Sequence, residues 1–169
     1  SDPYKTQVAW KIFSNKADFS GKHKKLVDFW RVSSGKIFIL PKGEWLGKGI
    51  LPDYPHIIVK QTISLASAQE LPVEIIFNTA WVKFNITLDG APYNGQIGWN
   101  VFSDQKDLSG KQTRIADGWR VKSQTVTTLK QGDYIVEVMN PDLKTMKGKA
   151  AFTLKPGDQA VVDIDMKTP

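Results

Sequence analysis

Apolar and polar residues alternate with a period of two along much of this chain. Around Trp10, the residues Val8, Trp10 and Ile12 fall on one side and Ala9, Lys11 and Phe13 on the other. Successive side chains of a strand point to opposite faces, so this pattern predicts a strand, and a tryptophan in phase with β-branched residues is assigned to the core. Ile97, Trp99 and Val101 repeat the arrangement. Polar loops with Ser20-Gly21 and Ser109-Gly110 at their turns lead into further strands over Leu26 to Val32 and Ile115 to Val121. Trp30 and Trp119 recur there, and the same phase argument assigns them to the core.

These recurrences are one long repeat. Shifted by 89 positions, Pro3 to Ile75 aligns without a gap on Pro92 to Ile164, with 23 of 73 residues identical. A duplicated module sets the folding unit, so two domains are expected, residues 1–78 and 79–169, each able to bury a modest core. A second landmark, Leu40 to Trp45 (LPKGEW) and Leu129 to Tyr134 (LKQGDY), places Gly43 and Gly132 at a turn where positive φ costs little. Beyond it Tyr134, Val136 and Val138 share one face, whereas the first copy reads WLGKGIL. Its Gly47 and Gly49 predict a bulge or an early exit. Ile57 to Leu65 and Met146 to Leu154 read as strands, as does Ala160 to Met166, whose partner is Pro72 to Phe77.

The copies are not equally complete. Ahead of Pro92 stands Trp81 to Leu88 (WVKFNITL), a strand with Val82, Phe84, Ile86 and Leu88 on one side, but only two residues precede Pro3. The first module is therefore expected to lack its opening strand, which lies upstream in a longer protein, comes from another copy, or is otherwise covered. A bare edge would invite pairing with a second chain. The expected fold is all-β: two tandem seven-stranded antiparallel β-sandwiches, the first without its opening strand.

The run VKFNITLDGAPYNG, the W-x-V strand, LKQGDYIVEV and the closing FTLKPGDQAVVDIDM resemble the prealbumin-like, carboxypeptidase-regulatory-like and Cna-B-like β-sandwich modules, most closely the tandem repeats of bacterial surface and von Willebrand A-associated proteins. The resemblance covers Ala80 to Met166 in full and Pro3 to Phe77 without the first strand. It implies a non-catalytic spacer or interaction module, periplasmic or on the cell surface or secreted. Some Cna-B-like modules carry an internal Lys to Asn or Asp isopeptide, promoted by an acid commonly four positions past the aromatic of the turn. Here Glu137 is three past Tyr134 and points the other way, and Lys83 faces away from Val82 and Phe84, so no bond to Asp163 or Asp165 is expected.

Composition changes this picture only at the margins. A hydrophobic content of 41% with six Trp and eight Phe excludes a disordered chain. No apolar run approaches the roughly 18 to 20 residues of a membrane span. The absence of Cys removes disulfides, thiolate metal sites and Cys nucleophiles. Net charge is +6, with a local concentration at Lys22, His23, Lys24 and Lys25. Lys22, Lys24 and Lys25 are candidate contacts for an anionic ligand, although a solvated loop is the ordinary role of such a run. No interleaving of aromatic and basic residues points to nucleic acid.

Six indoles could also form a carbohydrate platform. Trp81, out of phase with Val82 and Phe84, and Trp45, which replaces the tyrosine after the glycine turn, are the candidate ligand contacts. His23 and His56 are not repeated, and nothing assembles a hydrolase triad around them. Asp104, Asp107 and Ser109, like Asn15, Asp18 and Ser20, have oxygen-ligand spacing but read as turns, since calcium takes six to eight oxygens. No catalytic residue, cofactor or metal is expected. The expected partners are adjacent domains or another protein, reached through an edge strand or loops, with a glycan as the alternative.

Overall fold

The structure is a computed structural model that describes residues 7–33, 35–67 and 70–168. The chain divides between Phe77 and Asn78 into two compact units. Residues 1–6, with the Pro3 at which the repeat opens, lie outside the described residues.

In the first unit β1 (Val8–Ala17), β2 (His23–Val32), β3 (Gly43–Leu51) and β4 (Tyr54–Leu65) form one antiparallel sheet in the order β2-β1-β3-β4. Gly47 and Gly49 sit in the central strand β3 and the register runs through them unbroken, so the expected bulge or early exit there does not occur. Their role is to leave room. A Cβ on Gly47 would come within 3.0 Å of Ile63, and one on Gly49 within 3.0 Å of Phe77 and 3.3 Å of Ile75.

The second layer of this unit is open. The expected strand over Pro72 to Phe77 is not formed, and residues 36–42 also lie outside any strand. Yet residues 73–77 keep a period of two, with Val73, Ile75 and Phe77 half-buried and Glu74 and Ile76 exposed. Phe38 packs its ring against Trp10 (centroids 6.1 Å apart) and Phe29 (5.6 Å).

The second unit shows what is missing. Its strands are β5 (Thr79–Leu88), the two-residue β6 (Ala91–Pro92), β7 (Gln96–Lys106), β8 (Gln112–Lys122), β9 (Val126–Lys130), β10 (Gly132–Met139), β11 (Lys147–Leu154) and β12 (Gln159–Met166). One sheet has the order β11-β10-β7-β8; the other is β12-β5-β6, with β9 also on β5. Seven full strands in two layers make an all-β sandwich. Every ladder is antiparallel except β5–β12, which is parallel, a departure from the purely antiparallel order expected.

Strand β5 is the keystone of that second layer. It pairs with β12 from Gln159 opposite Trp81 to Met166 opposite Leu88, and with β9 from Thr79 opposite Lys130 to Lys83 opposite Val126. Its inward residues Val82, Phe84 and Ile86 are buried, and Phe84 meets Trp99 edge-on at 5.4 Å. Each such side chain contributes about 1.5–3 kcal/mol on leaving water. The first unit has no counterpart of β5 among its described residues, so the segments equivalent to β9 and β12 have no central strand to pair with and stay outside strands.

Candidate functional site

The candidate site arises from a register slip that both units share. In the β1–β2 ladder Val8 faces Val32 and Trp10 faces Phe29, so Ala9 is opposed by two residues, Trp30 and Arg31. In the β7–β8 ladder Ile97 faces Val121 and Trp99 faces Gly118, so Gly98 is opposed by Trp119 and Arg120. Two residues against one is a β-bulge, which re-aims the side chains beyond it. Arg31 and Arg120 carry φ of 55° and 53°, a conformation that residues with a Cβ rarely adopt.

The extra residue reverses the phase. Trp99 is buried and Trp10 half-buried, as residues of an inward face should be. Trp30 and Trp119 point outward, each 52% exposed. Their assignment to the core is therefore wrong, because a period-two count runs straight through a bulge. One signal of the error was present in the sequence: the same count puts Asp28 and Asp117 on the core face, and both are exposed.

Glycines mark where the indoles cross the sheet of the second unit. A Cβ on Gly98 would fall 2.5 Å from Cε3 and Cζ3 of Trp119, and 3.6 Å from Cγ of Met139, so the outer indole lies on bare backbone. A Cβ on Gly118 would fall 2.5 Å from Nε1 of Trp99 on the inner face. That Nε1 is buried with no hydrogen-bond partner, which costs about 1–3 kcal/mol.

Beside each outward tryptophan the arginine is tied to the loop that follows the glycine-turn strand. Arg31 Nη2 donates to Asp53 Oδ1 at 2.8 Å, and Arg120 Nη2 to Asp142 Oδ1 at 2.8 Å. In the second unit Asn140 Oδ1 accepts from the amides of Asp142 (2.8 Å) and Leu143 (3.0 Å), which shapes the loop. Exposed pairs of this kind contribute only about 0–1 kcal/mol. Their effect is to aim a guanidinium and a carboxylate beside an indole whose outer surface is open. Trp, Arg, Pro and Asp occupy these positions in both copies, although only 23 of 73 residues are identical. Packing gives little reason to keep the exposed members of such a set.

The residues singled out from the sequence are placed elsewhere. Trp81 is exposed on the outer side of β5, between Thr128 and Gln159 on the neighbouring strands. Trp45 is half-buried, and its Nε1 donates to the Pro41 carbonyl at 3.0 Å, as the Tyr134 hydroxyl donates to Lys130 at 3.0 Å. Its one polar atom serves the turn. The Lys22 and Lys24 amides donate to Asp18 Oδ1 (3.0 Å) and Ser14 Oγ (3.0 Å), and the Lys25 ammonium pairs with Asp28. Trp81 belongs to the second unit and the other four to the first.

The acidic turns are built alike. Asp18 Oδ1 accepts from the Ser20 amide (2.8 Å), the Ser20 hydroxyl (2.7 Å) and the Lys22 amide (3.0 Å). Asp107 Oδ1 accepts from Ser109 (2.8 and 2.6 Å) and Lys111 (2.9 Å). The serine hydroxyl, then the lysine amide, holds each carboxyl below its ordinary value. An oxygen so engaged belongs to the turn. Lys83 lies opposite Val161 and Val126, while Asp163 accepts from Asn85 at 2.7 Å and Glu137 pairs with Lys149 at 3.1 Å. The structure does not bring Lys83 to either acid.

The geometry thus defines an all-β protein of two units, the second a two-layer sandwich, with a repeated outward Trp-Arg bulge. No family model and no characterised sequence matches the chain. Among solved structures it is similar to the Bacillus anthracis TIE protein, at 16% identity and a TM-score of 0.38, over 96% of this chain and 31% of that one.

Proposed function

We propose that the chain is a non-enzymatic interaction segment of a larger bacterial envelope or secreted protein, whose modules each present the Trp-Arg bulge to a protein partner. One observation carries this reading: in both units an outward tryptophan, 52% exposed, stands next to an arginine held at positive φ and tied to an aspartate. Tryptophan and arginine dominate the energetics of protein interfaces when they are rigidly presented. Backbone strain kept at an exposed position fits a functional constraint better than a packing one. The envelope or secreted setting rests on the resemblance of the modules alone.

The open face of Trp119 above Gly98 favours a second reading, a carbohydrate platform. Capture from an envelope extract separates the two. The chain and its Trp30→Ala/Trp119→Ala variant are immobilised after matched melting temperatures have been verified. The protein reading expects a partner retained by the parent, lost with the variant, and abolished by protease treatment of the extract. Capture that survives protease and disappears on periodate oxidation supports the glycan reading. Retention indifferent to both tryptophans refutes the site.

A further inference from the structure

The outer face of each four-stranded sheet carries a row of side chains that crosses all four strands, and the row differs between the copies. In the first unit it runs Asp28, Lys11, Lys48 and Lys60 on β2, β1, β3 and β4. Lys11 lies between Trp10 and Ile12, whose side chains point inward, so the row points to solvent. The equivalent row of the second unit is Asp117, Asn100, Glu137 and Lys149. There Lys149 reaches Glu137 at 3.1 Å. Three lysines and one aspartate thus stand where the other copy has one lysine and two acids. Packing does not ask for this. Like charges directly opposite each other on neighbouring strands are destabilising, yet Lys11 faces Lys48 and Lys48 faces Lys60. The row's own carboxylate gives little relief, because Lys25 holds Asp28 at 2.5 Å and Lys11 stands 3.9 Å from it. Lys48 places its ammonium 4.5 Å from the centre of the Phe13 ring. Among the described residues, neither Lys48 nor Lys60 has a salt bridge to a carboxylate. Asp53 and Glu44, at opposite ends of β3, are engaged by Arg31 (2.8 Å) and Asn15 (3.0 Å).

We infer that the row of Lys11, Lys48 and Lys60 is a binding site for an acidic polysaccharide, a linear glycan with carboxylate or sulfate groups at regular intervals. Adjacent strands lie about 4.8 Å apart, so the three positions span about 10 Å in a line. The side chains are exposed or half-buried on an outer sheet face, where a single small anion is screened by salt and held weakly. A chain that presents several charges to the row gains from each of them. A stiff glycan also loses less conformational freedom on lying along the row than an acidic peptide does. A single-stranded nucleic acid needs aromatic platforms in series. On this face Lys48 lies over the Phe13 ring, which leaves Trp30 as the exposed platform among the described residues. The inference goes beyond the Trp-Arg bulge, because the second unit has the bulge without the lysine row.

The test measures binding of the full chain to heparin, polygalacturonate, neutral dextran, polyglutamate and oligodeoxythymidylate at low and at physiological salt. Two variants exchange the rows. Lys11→Asn/Lys48→Glu gives the first unit the residues of the second, and Asn100→Lys/Glu137→Lys does the reverse. Each replacement is one that the other copy carries in the same register. The parent is expected to bind heparin, polygalacturonate or both, and salt should weaken the binding. The first variant should lose at least about tenfold in affinity, and the second should gain by a similar factor. Preference for one of the two polymers supports the site and names its anionic group. Binding to neither, retention of neutral dextran, or equal affinity of the parent and both variants overturns the row. Equal or tighter binding of polyglutamate or oligodeoxythymidylate makes a protein or a nucleic acid the ligand and overturns the polysaccharide. The Trp30→Ala/Trp119→Ala variant keeps the row and should bind as the parent does. Loss of binding there places the ligand at the bulge and overturns the row, so the two sites fail separately.

Discussion

The two units share a sequence pattern but not a second layer, with four strands among the described residues of the first and eight in the second. In the second, β5 joins β9, β6 and β12 into a layer that closes the sandwich over Phe84 and Trp99. In the first, one sheet forms fully and the facing segments keep their alternation without becoming strands. A strand is thus not specified by its own residues alone. Val73, Ile75 and Phe77 have the pattern that Val162, Ile164 and Met166 have, but a ladder needs a neighbour. Where the neighbour is missing, larger side chains lean in: Phe29 stands where the second unit has Gly118, and Phe77 covers Gly49 where the second unit has Val138.

The sharpest way to break this comparison is to damage β5. Phe84→Ala should cost the second unit about 3–5 kcal/mol and leave the first unit unaffected, measured by residue-resolved denaturation in the full chain. Equal destabilisation of both units would contradict a role confined to one.

Grafting the residue of one unit into the other comes next. Gly118→Phe puts a Cβ 2.5 Å from Trp99 Nε1, and overpacking of this kind should cost about 1–3 kcal/mol. The first unit tolerates Phe29 because Trp10 there is only half-buried. A neutral Gly118→Phe would show that the difference in burial between the two indoles has another cause.

Smaller still, Arg31→Ala and Arg120→Ala should each cost at most about 1 kcal/mol, and should cost the same in both units, because both salt bridges are 2.8 Å long and similarly exposed. An unequal loss would separate two sites that the structure makes alike.

Acid should produce the slightest difference. Asp165 is held down to about 2 by Lys167, then by the Gly90 amide and the Thr87 hydroxyl, from an ordinary value of 3.8. A carboxyl depressed in the folded state stabilises above its unfolded value and loses that contribution as pH falls through the folded one. The second unit should therefore weaken between about pH 4 and pH 2 by a contribution the first unit lacks, since Ile76 stands at the equivalent position. Asp165→Asn should remove that contribution from the second unit in a melting series over that range, and leave the first unit, where Lys25 holds Asp28 below its ordinary value, unchanged. Asp18 and Asp107 are lowered alike, so their loss is common to both units.

What the sequence made legible followed from period and repeat. The duplication, the strands around Trp99 and Tyr134 and the glycine turn were all readable, because each depends on spacing. Three features were not. The outward aim of Trp30 and Trp119 depends on a bulge opposite Ala9 and Gly98, which only the strand register shows. Gly47 and Gly49 looked like interruptions, but the side chains they make room for come from Ile63 and Phe77, distant in sequence. The parallel pairing of β5 and β12 joins strands about eighty residues apart and leaves no local mark. The ligand candidates Trp45, Trp81 and the lysines were chosen by exception from a pattern, and the repeated exposed set was overlooked because it conformed to one.

Amide hydrogen exchange on the full chain, with nothing added, tests the central claim most directly. Residues 160–166, on the keystone strand's parallel edge, should be strongly protected, and residues 71–77, their equivalents in the other copy, should exchange close to the rate of an unpaired chain. Comparable protection in the two segments would mean that the first unit closes its second layer without a central strand, and would contradict the account.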